Sequence, residues 1–205
     1  MRTFLWLRGA IVVATMLLAS CTHAPYGGEK ESSLITATAA HDVAKVQALL
    51  DSGANPSAMV KYEDGLYESP WRLVLKQLRP KHPEDVVIVK AMLRAGADPA
   101  LAWGEGQALS RKSLHQDEPL IVVMMHPNAE VVRLLLDAGL KPQSGVQALV
   151  EAVDSGQSEI VHMLVEAGVN VNGASGARTP LLAAIEQRDA KLMAYLEEHG
   201  AREKP

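Results

Sequence analysis

The stretch that decides the fold is residues 160–172, which read IVHMLVEAGVNVN. Its apolar residues recur at helical spacing and stop just before Gly168. Four other segments also end in an apolar run and a glycine: ALLDSGANP at 48–56, MLRAGADP at 92–99, VVRLLLDAGLKP at 131–142 and MAYLEEHGA at 193–201. The marker glycines of these segments are Gly53, Gly96, Gly139, Gly168 and Gly200. Their regular recurrence shows that the chain contains an internal repeat.

Each repeat is predicted to contain two helices. The second helix ends at the marker glycine, because a left-handed residue commonly follows a helix and glycine adopts that conformation without steric cost. The first helix begins at a fixed distance before that glycine, at Thr179-Pro180-Leu181 in the last repeat and at Glu118-Pro119-Leu120 in the third. Proline suits the first helical position, where the backbone N–H has no partner within the helix.

This pattern resembles the ankyrin repeat, which has a period of about 33 residues and a Thr-Pro-Leu-His opening motif. The resemblance implies an all-α fold, an ankyrin-repeat solenoid of about five helix-turn-helix repeats over residues 32–205. In such a solenoid each repeat packs only on its neighbours and the stack buries one continuous core. The resemblance also implies a protein-binding scaffold rather than an enzyme.

Of the first two repeats, the second departs from the regular spacing. Ser69-Pro70 lies further from Gly96 than the opening motifs of the later repeats lie from their glycines. The additional residues fall around Pro80 and Pro83, which interrupt a continuous helix. The predicted helices of these repeats are residues 34–40, 42–52, 70–79 and 84–95. Two insertions, at 57–68 and 100–117, are predicted to lengthen the fingers that project from one edge of an ankyrin stack.

The N-terminal region predicts export and lipid attachment. Residues 1–20 carry Arg2 and Arg8, no acidic residue and an apolar run, as secretory signal peptides do. They lead into Leu18-Ala19-Ser20-Cys21, which resembles the lipobox of bacterial lipoproteins, where the cysteine is acylated after cleavage. The predicted segments are a removed signal peptide at 1–20, a lipidated tether at 21–31 that is extended over 22–31, and the repeat domain at 32–205.

Lipid on Cys21 would hold the mature protein at a membrane of the cell envelope. Thr22 is not the aspartate that retains lipoproteins at the inner membrane, so the prediction is the outer membrane, facing the periplasm. The alternatives are an uncleaved anchor or an unmodified cysteine. However, the apolar run at 10–18 is shorter than the roughly 20 residues of a spanning helix.

Charge and cysteine content exclude several classes of function. The chain has 20 Lys and Arg residues against 24 Asp and Glu, and removal of residues 1–20 leaves 18 basic residues and a net charge of −6. This acidic balance argues against a nucleic-acid partner. Cys21 is the only cysteine, so its acylation would leave no thiol for a disulfide, a thiolate metal site or a nucleophile. We expect no cofactor, and we expect a monomer.

The histidines do not form a recognisable metal or catalytic motif. The seven residues show no HExxH spacing, and the pair His162 and Glu166 is interpreted as part of a solvated helix face rather than as a ligand pair. An enzyme hypothesis has only loop candidates: His115, Asp117 and Glu118 at the end of the second insertion. We therefore predict no catalytic residues and no metal ligands.

Aromatic residues at the insertions are the leading candidates for partner contact. Tyr62, Tyr67 and Trp103 have no assigned place in the repeat, and Tyr and Trp are enriched among binding hot spots. The alternative is that they pack the two fingers against each other. Trp71 occupies the leucine position of the opening motif, so we predict that it packs in the core.

Basic residues supply further candidates for contact with a protein. Arg111, Lys112 and His115 form a small basic patch at the end of the second insertion, which could meet an acidic protein or anionic lipid headgroups or could remain a solvated loop. Arg72 stands at the histidine position of the opening motif. Together with Lys76, it is predicted to face the groove of the stack or its edge.

These features together predict an envelope lipoprotein that holds another protein at the membrane. One version is an immunity protein that neutralises a secreted toxin, such as a lipase, by inserting its fingers at the toxin's active-site cleft. A second version is a periplasmic scaffold for a resident envelope enzyme, for example one that protects against oxidative stress. A further hypothesis, from another class of function, is that the protein binds lipid or peptidoglycan directly.

Overall fold

The computed structural model describes residues 27–62, 67–79, 82–100, 119–142 and 145–203. Within these residues the chain forms ten helices. In chain order they are α1 (Glu29–Ala39), α2 (Val43–Asp51), α3 (Pro70–Lys76), α4 (Pro83–Arg94), α5 (Pro119–Met125), α6 (Ala129–Asp137), α7 (Gly145–Asp154), α8 (Ser158–Glu166), α9 (Pro180–Gln187) and α10 (Ala190–Glu198). Consecutive helices pair, which makes five repeats.

The helices stack in two rows. The odd-numbered helices form an inner row in which each packs on the next, from α1 through α3, α5 and α7 to α9. The outer row runs in parallel through α2, α4, α6 and α8, and the rings of His162 on α8 and Tyr195 on α10 lie 4.1 Å apart. Apolar faces from both rows form one continuous buried core. The predicted all-α solenoid of five repeats is therefore confirmed.

The marker glycines end the outer helices as predicted. All five have φ between +86° and +91°, which is the left-handed region that favours glycine. The residue after each glycine donates its backbone N–H to a carbonyl five residues earlier, as Ala54 does to Leu49 at 3.1 Å and Val169 to Leu164 at 3.1 Å. The residue after the glycine is also buried in every repeat, so each cap joins a helix end to the core.

The opening motifs also act as predicted. Ser69 accepts a hydrogen bond from the backbone N–H of Arg72 at 3.1 Å, and Thr179 accepts one from Leu182 at 3.1 Å. Proline follows each of these capping residues within the first turn. Trp71 is fully buried on α3, which confirms its predicted place in the core.

The start of the domain differs from the prediction. Helix α1 begins at Glu29, five residues before the expected start at Leu34, so residues 29–31 are helical rather than part of an extended leash. Glu31 explains the earlier start, because its carboxylate accepts hydrogen bonds from Gly28 N at 2.7 Å and from Asn55 N at 2.9 Å. The second of these bonds links the first turn of α1 to the loop after α2.

The first insertion forms a short β-hairpin. Strand β1 (Val60–Lys61) pairs antiparallel with β2 (Tyr67–Glu68), with Lys61 opposite Tyr67. Gly27 donates its backbone N–H to Met59 O at 2.8 Å, so the chain entering α1 lies beside this hairpin. Residues 101–117 of the second insertion lie outside the described residues. Helix α3 ends at Lys76, three residues before the predicted end.

Candidate partner-binding surface

The predicted aromatic residues of the first finger lie at the end of its hairpin. Tyr62 follows β1 and is 42% exposed. Tyr67 on β2 is half-buried, and the ammonium group of Lys61 lies 5.9 Å from the centre of its ring. The finger therefore presents Tyr62 outward, whereas Tyr67 is part of the hairpin's own packing.

The two predicted basic residues of the second repeat lie at the base of this finger. The guanidinium Nε of Arg72 is 3.7 Å from one carboxylate oxygen of Glu68, and the Lys76 ammonium is 3.3 Å from the other. Helix α3 is thus connected to strand β2 by charge. Lys76 is exposed and Arg72 is largely covered, so of these two cations Lys76 is the more accessible to a partner.

The other predicted site residues lie outside the described residues. They are Cys21 for lipidation, Trp103, Arg111, Lys112 and His115 for partner contact, and Asp117 and Glu118 for the enzyme hypothesis. Their roles stay predictions.

One position recurs on the exposed side of every inner helix. In four repeats it lies the same number of residues before the marker glycine. The second repeat has additional residues before its glycine, so there the position is counted from the helix-opening proline, as in the third and fifth repeats. Its occupants, from the first repeat to the fifth, are Ala39, Lys76, Met125, Asp154 and Glu186. Since the inner helices pack side by side, these residues form one line across the stack, which we call the exposed line.

The exposed line faces away from the outer helices. On α7, Ala148, Leu149, Ala152 and Val153 are buried against neighbouring helices, while Glu151 is exposed and Asp154 is half-exposed. An inner helix within the stack has one neighbour on each side and its own outer helix behind it, so the exposed stripe is the side left free.

Met125 in the exposed line was missed by the sequence reasoning. It is 69% exposed, at the end of α5. Of the large apolar side chains in the described part of the chain, it is the most exposed. The signal that could have found it is its distance from Gly139, which matches that of Asp154 from Gly168.

The exposed line is acidic in the last two repeats. Arg178, in the loop between α8 and α9, forms two hydrogen bonds to Asp154, at 2.6 and 2.9 Å, and a third to Glu186. The bonds to Glu186 and Asp154 raise the pKa of Arg178, which stays charged. Glu151 is exposed one turn before Asp154 on α7, so these four side chains together are net negative.

A second charged cluster joins the first two repeats. Asp85 on α4 is 1% exposed. It contacts His41 Nδ1 at 2.6 Å and accepts bonds from the backbone and side chain of Arg79 at 2.9 to 3.2 Å. Burial alone would raise the pKa of Asp85, but the bonds from Arg79 and the charge of His41 outweigh it and hold the pKa below its usual range. The buried Asp85 carboxylate therefore links the first repeat to the second.

Four of the five histidines among the described residues, His41, His82, His162 and His199, make side-chain contacts. His162 and His199 both stack on the Tyr195 ring, with centroids 4.1 and 4.2 Å away. His82 bonds to Glu84 at 2.9 Å. In the ranges that the structure describes, no group of three or more His, Cys, Asp or Glu residues could hold a metal ion. No helix there is long and apolar enough to cross a membrane.

Five stacked helix pairs with an exposed line of side chains define a repeat solenoid built to present a continuous surface. A protein-family model described as ankyrin repeats, in three copies, matches residues 83–175, which run from α4 to the loop before α9. The fold is therefore an all-α ankyrin-repeat solenoid. No curated protein matches the chain. Ankyrin repeats suggest protein–protein interaction and are typically non-enzymatic binding scaffolds.

Proposed function

We propose that this chain is a lipid-anchored protein of the cell envelope that binds a partner protein through its ankyrin stack. Cys21 carries the anchor, and the protein faces the periplasm from the outer membrane. The observation that carries the binding part is the exposed line, which presents Lys76, Met125 and Glu186 along one surface over several repeats. A solenoid offers such extended surfaces because its repeats stack without folding back.

A concrete version is an immunity protein that occupies a secreted toxin, such as a lipase, when the toxin reaches the periplasm. The first finger supports this version, because its hairpin is tied to α3 through Glu68 and holds Tyr62 outward. The second version is a scaffold for a resident envelope enzyme. The gene beside this one distinguishes them: a toxin gene supports the first and an enzyme gene the second.

Replacing Cys21 with serine is expected to abolish lipid attachment. The protein should lose incorporation of labelled palmitate and leave the membrane fraction, because no other residue of the chain carries a thiol. The matched control is Thr22→Ser, which should keep both label and location. Thr22→Asp tests sorting and should move the labelled protein to the inner membrane. A Cys21→Ser protein that still takes up palmitate would overturn the lipoprotein assignment.

Removing the finger aromatics is expected to release the partner. Protein isolated from its native envelope should bring down one stoichiometric partner. The variant Tyr62→Ala, Tyr67→Ala, Trp103→Ala should lose it, since a buried aromatic anchor commonly contributes about 2 kcal/mol. The matched control replaces the same three residues with phenylalanine, which keeps most of the apolar area. Thermal unfolding of each variant checks that the stack remains folded.

Two results of this pull-down would differ from the expected one, and each leads to a different conclusion. A partner that the alanine variant retains would contradict a finger site and leave the exposed line as the binding surface. If neither protein brings down a partner from the envelope, a resident-enzyme scaffold is contradicted. Secreted toxins are then the proteins to test.

A further inference from the structure

We propose that the exposed line binds a segment of the partner with a defined chemistry: one large apolar side chain, and next to it a group of Lys or Arg residues. The apolar side chain contacts Met125, and the basic residues lie over the fourth and fifth repeats. This inference rests on the proposed function, because it names the kind of partner that the stack accepts.

Met125 supplies the apolar contact. It is the most exposed of the large apolar residues in the described part of the chain, at 69% against 46% for Val87, the next. Helix α5 packs on α3, α7 and α6, so the Met125 side chain projects on the side of the stack that these helices leave open. Methionine is flexible and polarisable and adapts to different apolar partners.

The acidic residues lie on one side of Met125. Neighbouring helices pack about 8 to 10 Å apart, so Asp154 on α7 is about one helix spacing from Met125, and Glu186 on α9 about two. Glu151, one turn before Asp154, is exposed. Arg178 neutralises part of this charge through its bonds to Asp154 and Glu186, which leaves an excess of negative charge for a cationic segment.

The opposite side of Met125 carries a cation in the exposed line. Lys76 occupies the position of the second repeat that Asp154 and Glu186 occupy in the fourth and fifth, and it is exposed. A basic segment is therefore attracted to the fourth and fifth repeats more strongly than to the second. The cation on one side of Met125 and the acidic residues on the other therefore set the direction in which the segment lies along the stack, as well as its composition. Complementary charge sets register and selects partners.

The test uses a random dodecapeptide library displayed on phage and selected on the full lipidated protein in detergent. The selected peptides should combine an aromatic or long aliphatic residue with a net positive charge. A synthetic copy of one such peptide should bind Met125→Ala about tenfold more weakly than the wild type, as for a buried apolar anchor. It should bind Glu151→Lys several-fold more weakly, with the difference shrinking as salt is added.

Two matched controls lie on the outer helices. Val87→Ala removes an exposed apolar residue from α4, and Glu198→Lys reverses an exposed charge on α10; both should bind within twofold of the wild type. Peptides without basic enrichment, no selected peptide at all, or equal losses in the control variants would overturn the inference. If the envelope partner still binds the double variant Met125→Ala, Glu151→Lys, this inference is wrong while the proposed function stands.

Discussion

Replacing Trp71 with alanine is expected to lower the free energy of unfolding by about 3 to 5 kcal/mol, the range for large aromatic residues in a core. Trp71 is fully buried on α3. That helix packs on α1, α5 and α4, so the cavity weakens the second repeat and its contacts with both neighbours. In a solenoid, stability depends on such nearest-neighbour interfaces. Urea unfolding followed by circular dichroism measures the change.

Trp71→Phe and Met125→Ala are the matched controls. Phenylalanine keeps most of the apolar contact, and no hydrogen bond of the indole is lost because Trp71 Nε1 has no partner among the described residues. We expect a loss of about 1 to 2 kcal/mol for Trp71→Phe, less than for truncation to alanine. Met125→Ala, which truncates an exposed residue, should change stability by less than about 0.5 kcal/mol. A Trp71→Ala loss as small as that of Met125→Ala would contradict the assigned core.

Replacing Asp85 with alanine is expected to cost about 2 kcal/mol, because it removes a buried carboxylate that accepts hydrogen bonds from the backbone and side chain of Arg79 and contacts His41. Asp85 is shared by His41 from the first repeat and Arg79 from the second. The loss of stability should therefore be largest at the interface between these two repeats. Hydrogen exchange should increase in α1 and α2 more than in α9 and α10. A uniform increase along the stack would contradict the role of Asp85 in linking the first two repeats.

The same carboxylate predicts how stability depends on pH. The pKa of Asp85 in the folded protein lies below its ordinary value of 3.8. Its contribution is therefore present above about pH 4 and is lost as the pH falls through the lower, folded value. We expect the melting temperatures of wild type and Asp85→Asn to differ at pH 7 and to converge as the pH falls below about 4. If the two melting temperatures differ by the same amount at every pH, Asp85 is not the source of the pH dependence.

Asp51→Asn is the matched control for the Asp85 substitution, because the Asp51 carboxylate is exposed. Asp51 lies on α2 and bonds only locally, to the Gln47 side chain at 2.8 Å. Asp51→Asn should change the melting temperature at pH 7 by much less than Asp85→Asn does, because it alters an exposed local hydrogen bond.

Helix ends were predictable where the signal is local. Gly168 adopts φ of +86° because it follows the end of α8 and has no Cβ to oppose the left-handed conformation. Thr179 caps α9 through a bond to a residue three positions away. The start of α1 was predicted five residues too late, although the bond from Gly28 N to the Glu31 carboxylate is local. The second bond of that carboxylate is to Asn55, which is distant in the chain. A contact of that range leaves no periodic trace in the sequence.

The candidate binding surface was predicted less completely. Tyr62 was singled out for its residue type and lies exposed on the finger. Met125 was passed over because, at sequence level, an apolar residue in an apolar helix is expected in the core. Its exposure depends on which sides of α5 are covered by α3, α6 and α7, and that is known only once the helices are stacked.

The sequence by itself determined the repeat, the two-helix unit and its capping glycines, because these follow from helical periodicity and from the backbone freedom of single residues. Only the tertiary structure decided which charges meet. Asp85 joins His41 across 44 positions and Arg178 joins Asp154 across 24, since the spacing of stacked helices, and not the order of residues, brings these groups within hydrogen-bonding distance.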